Sequence, residues 1–448
     1  MKNRILSTLF MLLLVLTAMG AKKPKYIFYF IGDGMGLSPV LCAETYNQTV
    51  LGNKEPLLML QFPVASVATS YSASHTITDS AAGGTALATG HKTKNGMLGM
   101  DADTVAVKSI AYELQDRGYG IAIATSVAPD DATPGAFYTH VDHRNKFYDI
   151  TKDMAQSGFD MFAGGQLRGT APQGQPDVRT VLSNAGYSVV DGPAKWNEQK
   201  HGDKVVLLNQ PYHLTHIGYT IDSIQGNLTL PFITQACLDH LEKVSPKKFF
   251  MMVEGGLIDH ALHPNDGGAA VKELINFDHS LRIAYEFYLR HKDETLIVVT
   301  ADHNTGGMVA GVNGGSYNLK FKNYDYQRIS MQADDKERQG DNMGVHEGVP
   351  QGETGPLLCH PSGQEQRQGS AGCLPHHFRG KDQRTEKDSI HRPERFRGSH
   401  LPGTGQDYGH RLDNRFAHRR LCSRICHRCG LRAVPGIHGQ HRNPQQNP

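Results

Sequence analysis

The sequence predicts an α/β fold, a mostly parallel central sheet with helices on both of its faces. Three observations predict it. Four short runs, Lys25–Ile31, Gly120–Thr125, Lys248–Val253 and Thr295–Thr300, are apolar on consecutive residues, the pattern of strands covered on both sides. Apolar residues at helical spacing lie between them, as over Val107–Arg117 and Ala269–Arg290. Polar groups follow the strands directly: Asp33, Ser126 to Asp131, Glu254 and Asp302-His303. Open α/β sheets bind ligands at the carboxyl ends of their strands, so four strands are expected to deliver these groups to one edge.

Taken in chain order, residues 1–20 come first. Lys2 and Arg4 precede an apolar run from Ile5 to Leu16 and a small-residue end at Ala18-Met19-Gly20, the signature of a secretory signal peptide. About a dozen apolar residues is short for a membrane anchor. The mature protein is therefore expected in the periplasm or secreted, with no membrane span left after cleavage. The chain's net charge of +2, from 46 Lys+Arg against 44 Asp+Glu, offers no global field for nucleic acid. Composition changes sharply near residue 335: residues 1–335 contain 8 Arg, 13 His and 2 Cys, and residues 336–448 contain 15 Arg, 11 His and 5 Cys. Residues 21–335 are read as one catalytic domain and 336–448 as a separate tail.

The residues that carry chemistry sit at element ends. Thr78 or Asp79 caps the Ala-rich stretch to Gly90, which places Ser80 in a first helical turn, where backbone N–H groups and the helix dipole favour an anion. A serine there can act as a nucleophile whose alkoxide a metal stabilises. Asp131 and Thr133 offer small oxygen donors, and the planar fork of Arg144 can grip two phosphate oxygens. Glu254 supplies a hard oxygen suited to Mg²⁺. Asp259 and His263, spaced i,i+4, share a face if the segment is helical, as a shared metal requires. Asp302 and His303 leave the last strand together. Taken singly, each motif also fits a capped helix, a solvated turn or a surface charge. Together they supply the ligand types of a two-metal phosphoryl-transfer centre.

At these residues the chain resembles the alkaline phosphatase family. The matching segments are Ile31-Gly32-Asp33-Gly34-Met35-Gly36, Thr78 through Gly90, Asp131-Ala132-Thr133-Pro134, Val253-Glu254 through Asp259 to His263, and Thr300-Ala301-Asp302-His303, over roughly residues 25–335. The resemblance implies hydrolysis of phosphate monoesters through a phosphoserine, with two Zn²⁺ and one Mg²⁺, commonly in a homodimer. Ser80 matches the nucleophile and Arg144 the phosphate clamp. Asp33 matches the carboxylate shared by one zinc and the magnesium, and Asp302 and His303 the other ligands of that zinc. Asp259 and His263 match two of the second zinc's three protein ligands. Thr133 and Glu254 match magnesium ligands, and Asp131 the residue that orders magnesium's water. Family members carry Asp or His at the position of Asp131 and Lys or His at that of His260; the pairing here mixes those patterns.

The family's remaining zinc ligand is a His in a His-Thr-Gly context near the C-terminus, and none is in frame here. Cys422-x3-Cys426-His427-x-Cys429 has the look of a zinc-thiolate cluster, yet no apolar pattern surrounds it. Reading Tyr408–Leu421 one base later permits Gly-Ser-His-Thr-Gly-Gly with a suitable choice of synonymous codons. The same offset permits amphipathic helical strings over Gln339–His360 and Gln364–Asp388. Residues 336–448 are accordingly read as out of frame and disordered, since they cannot bury enough apolar surface to fold. Two rivals remain: a phosphodiesterase- or sulfatase-type hydrolase on the same two-metal sheet, and a metal-binding remnant with impaired or no turnover.

Overall fold

The first apolar run forms β1 (Tyr26–Gly32), buried at every position. Its side chains alternate between two separate cores, Tyr26, Phe28 and Phe30 on one face and Ile27, Tyr29 and Ile31 on the other. An unbroken apolar run needs such two-sided cover. The structure is a computed structural model that describes residues 23–198, 200–210, 214–311 and 320–333. The signal peptide expected over 1–20 and the tail expected over 336–448 lie outside the described residues.

Six further strands follow: β2 (Gly120–Thr125), β3 (Met161–Gly164), β4 (Ser188–Asp191), β5 (Val205–Leu208), β6 (Phe249–Gly255) and β7 (Thr295–Ala301). Every pairing is parallel, in the order β4-β5-β3-β2-β6-β1-β7. The four strands expected from the sequence form the contiguous block β2-β6-β1-β7. Strands β3, β4 and β5 are not among the expected ones; their four residues each are too few to show a period. β7 differs from expectation in burial. Among the described residues it is one of the two edge strands, with β4 at the other end, paired on β1's side alone and half-buried along its length.

Ten helices connect the strands among the described residues: α1 (Leu37–Thr49), α2 (Ser80–Thr89), α3 (Ile110–Gln115), α4 (Ala132–Gly135), α5 (Phe147–Ser157), α6 (Val178–Asn184), α7 (Gly192–Glu198), α8 (Leu230–Val244), α9 (Gly256–Leu262) and α10 (Gly267–Arg290). Helices α1, α8, α9 and α10 pack on the Phe28–Phe30 face, and α2 to α6 on the Tyr29 face. The periodic segment 107–117 becomes helical only from Ile110, because the Ser109 side chain caps it by accepting from Tyr112 N. Phe28 meets Phe249 and Phe287 at ring separations of 5.4 and 5.5 Å. Burying each ring contributes about 2–3 kcal/mol, which ties together β1, β6 and α10.

The topology also decides where a ligand can sit. The chain enters β2 from α3 on one face, whereas it passes from β6 to β7 through α9 and α10 on the other. The crossovers part above the carboxyl ends of β1 and β6, the switch point at which open α/β sheets offer a crevice to ligands.

Candidate metal centre and nucleophile

Asp33 leaves β1 at that crevice, and Asp302 and His303 leave the neighbouring β7. One ligand atom from each of these three residues lies within 4.8 Å of the others. His303 Nε2 is 3.3 Å from Asp33 Oδ1 and 3.4 Å from Asp302 Oδ2. Asp302 Oδ1 is satisfied by Gly34 N at 3.1 Å and His303 N at 2.9 Å. Its Oδ2 is buried and makes no hydrogen bond, an orphan aimed into the cluster. Gly34 has φ +65, and a Cβ on it would come within 2.7 Å of Asp259 Oδ1 and Thr305 Oγ1. Only glycine adopts that turn freely while letting two acids approach its backbone.

Ser80 is the first residue of α2. Asp79, not Thr78, is the cap, accepting from Ala82 N at 2.9 Å through Oδ1 and from Gly96 N at 2.9 Å through Oδ2. Ser80 Oγ then lies 3.2 Å from His303 Nε2 and 3.5 Å from Asp33 Oδ1. Gly83, one turn further on, is close enough to β7's exit that a Cβ would sit 3.2 Å from Asp302 Cβ.

The other expected residues close around this core. Thr133 Oγ1 donates to Asp33 Oδ2 at 3.4 Å, and Thr125 Oγ1 donates to Glu254 Oε2. Glu254 lies inside β6 rather than after it. Asp259 sits in the first turn of α9 and His263 caps its end, 3.2 Å apart between Oδ2 and Nε2. The i,i+4 expectation therefore holds, although His263 is 69% exposed and stands at the rim. Thr305 Oγ1 donates to Asp259 Oδ1 at 2.5 Å and meets His303 Nδ1 at 3.1 Å, joining the two halves of the site. Arg144 lies between Asp79 (3.5 Å) and Asp131 (3.3 Å).

The charges in this pocket do not balance. Burial first, then Asp302, Asp259 and Glu254, push the Asp33 carboxyl well above its usual range, with Arg144 opposing them. Glu254 is pushed up to about 8 by burial, against the bond from Thr125. Asp302 is raised by burial, against His303. Burial would also raise Asp131, but Arg144, Arg168 and His260 outweigh it and hold its carboxyl below the usual range. Buried like charges and an orphaned carboxylate oxygen fit a site that holds divalent cations, whose charge would reverse each of the upward shifts.

Two residues escaped the sequence reading. Thr305 had a weak signal, a hydroxyl two positions beyond His303. Arg168 had none: it stands in the loop after β3, 2.8 Å from Asp131 Oδ2.

A parallel α/β sheet with acids, an imidazole and a capped serine at its carboxyl edge defines a class, α/β proteins whose site could hold a metal ion beside an anionic ligand. More particularly, the chain belongs to the alkaline phosphatase family, whose model, described as "Alkaline phosphatase", matches residues 24–339. It is 30% identical over 318 residues to the repressible alkaline phosphatase of Saccharomyces cerevisiae, covering 64% of this chain and 56% of that protein. The chain thus spans little more than half the length of that relative. Among solved structures it is similar to a cold-active alkaline phosphatase of a psychrophilic Shewanella species, with TM-score 0.61, 30% identity, 68% of this chain and 74% of the other. It is also similar to a variant of the alkaline phosphatase of the Antarctic bacterium TAB5, described with Mg bound in the M3 site, with TM-score 0.57, 29% identity, 64% of this chain and 80% of the other.

Proposed function

We propose that the chain hydrolyses phosphate monoesters through a covalent phosphoserine on Ser80. The observation that carries this reading is the position of Ser80 Oγ, 3.2 Å from His303 Nε2 and 3.5 Å from Asp33 Oδ1, inside a cluster of oxygen and imidazole donors. Family membership supports phosphate esters as the substrate class.

The donors suit two Zn²⁺ and one Mg²⁺. Asp33, Asp302 and His303 would hold one zinc, and Asp259 and His263 would give two ligands to the second. Asp33, Thr133 and Glu254 would hold magnesium, with Asp131 ordering its water; the magnesium described in the TAB5 variant supports this choice. When bound, these cations lower the pKa of the attacking oxygens and neutralise charge on the transferring phosphoryl group.

The chain's own residues do the rest. Arg144 takes two phosphoryl oxygens with its fork and turns the phosphorus toward Ser80 Oγ. Ser80 Oγ forms a bond to phosphorus as the ester P–O bond breaks, and the alcohol leaves on the opposite side. Water attacks the phosphoserine from the side the alcohol vacated, releasing inorganic phosphate and restoring the Ser80 hydroxyl. The side chains around Ser80 serve the phosphoryl group and the cations, so the organic part of the ester should matter little.

The test is to quench the protein with acid during turnover of p-nitrophenyl phosphate and to map the phosphorylated peptide. Ser80→Ala should abolish the label and leave zinc content near normal. A Ser80→Ala protein that still labels refutes the assignment.

A second reading, a metal-binding remnant with impaired turnover, has one observation in its favour. Asp259 and His263 are the donors the described residues offer the second zinc, and the sequence carries no His-Thr-Gly in frame. Turnover per zinc, with zinc counted by elemental analysis, separates the two. The proposal further takes residues 1–20 as an export signal to the periplasm or medium and 336–448 as out of frame; family members are commonly homodimers, and an out-of-frame C-terminus would remove part of such a dimer's surface.

A further inference from the structure

Arg168 is absent from every motif named so far, yet several contacts fix its place beside Asp131. Its backbone N donates to Asp130 at 3.0 Å, and Gly169 N donates to the same carboxylate at 2.8 Å. That carboxylate is fully buried, so the loop after β3 is clamped from beneath. The guanidinium lies over the Phe147 ring at 4.3 Å, and Phe147 opens α5, three residues after Arg144. Arg168 Nη1 donates to Asp131 Oδ2 at 2.8 Å.

Asp131 is therefore shared between two arginines. Its Oδ1 accepts from Ala132 N at 2.8 Å and from Arg144 Nη2 at 3.3 Å, while its Oδ2 belongs to Arg168. A carboxylate with both oxygens free takes a guanidinium in a two-point grip, the same grip that a phosphoryl group would use. Arg144 instead meets Asp131 and Asp79 through one long contact each, at 3.3 and 3.5 Å.

We propose that Arg168 is a positioning residue: by taking Oδ2 of Asp131 it keeps that carboxylate from gripping Arg144 at two points, and so leaves Arg144 free for the substrate's phosphoryl group. The proposal rests on the phosphatase reading above. It predicts an effect on phosphate affinity that runs through Asp131 and through no contact between Arg168 and substrate.

The experiment is a double-variant cycle on the full chain supplied with Zn²⁺ and Mg²⁺, using Arg168→Ala, Asp131→Asn and the pair. The readouts are inorganic phosphate affinity by calorimetry, KM and kcat for p-nitrophenyl phosphate, and melting temperature. Arg168→Ala should weaken phosphate binding and raise KM by about tenfold with kcat changed less than about twofold, the signature of lost ground-state binding. Arg168→Lys, which keeps a cation on Oδ2, should recover most of the loss. In the Asp131→Asn background, Arg168→Ala should add less than about twofold, because the grip it prevents no longer exists. An equal loss in both backgrounds overturns the proposal, since it means that Arg168 touches substrate or merely supports the loop. Unchanged phosphate affinity in Arg168→Ala overturns it too. A wild type that neither binds phosphate nor turns over ester refutes the phosphatase reading and this proposal with it.

Discussion

Asp302→Asn separates the charge argument from the fold argument. The variant keeps Oδ1, which accepts from Gly34 N and His303 N, and replaces only Oδ2, the oxygen without a hydrogen bond. Ligand atoms of Asp33, Asp302 and His303 lie within 4.8 Å of one another. Two buried unit charges at that separation repel by roughly 3 kcal/mol at an effective dielectric of about 20. Without cations, removing one carboxylate should therefore stabilise the protein, on the order of 5 °C in melting temperature for that energy. The pH dependence has a definite sign. Asp33's folded carboxyl is raised by burial and then by Asp302, so wild-type stability is full below the unfolded carboxylate value and falls as pH rises through the folded one. The variant's advantage in EDTA should appear at pH 8 and vanish at pH 4. With Zn²⁺ the order should reverse, because the wild type gains a ligand–metal bond that the variant cannot make. Differential scanning calorimetry in EDTA and in Zn²⁺, at both pH values, reads all four combinations. A variant no more stable than wild type in EDTA at pH 8 refutes the repulsion; an equal zinc gain in both proteins places the metal elsewhere.

Three further outcomes follow from other residues. Glu273 is buried away from the site, where its Oε1 accepts from Thr220 N at 2.6 Å, and burial pushes its carboxyl up to about 7. Glu273→Gln keeps that acceptor, so urea unfolding should show a gain of up to about 3 kcal/mol at pH 8 and none at pH 4; a pH-independent difference contradicts the assignment. Gly34→Ala forces a Cβ to 2.7 Å from Asp259 Oδ1 at φ +65. It should cost about 2 kcal/mol or more and lower zinc content, whereas normal zinc would show that the turn can relax. Restoring the one-base offset near the codons for Asp335–Gln339 should raise zinc per chain and turnover together, and an unchanged zinc count defeats the frame argument.

Much of the fold was legible because its signals are local. The runs of β1, β2, β6 and β7 are long enough to show two-sided apolarity, and α10 is long enough to show a helical period. Strands β3, β4 and β5 have four residues each, too few to carry either signal. Apolarity also says only that a strand is meant to be covered. It says nothing of order, so β7's place at the edge of the described sheet could not be read from its residues.

The candidate site divides along the same line. The sequence by itself determined the donor types, a cap at Thr78 or Asp79 that puts Ser80 at a helix start, and the i,i+4 pairing of Asp259 with His263, because each is a relation within a few residues; the structure chose Asp79 as the cap. The tertiary structure alone decided which donors meet. Gly34 N reaches Asp302 across 268 positions and Thr133 reaches Asp33 across 100, distances over which no periodicity acts. Arg168 shows this best. Its loop has no motif, and its role exists only because Asp130, Phe147 and Asp131 converge on it from elements that the sheet order brings together.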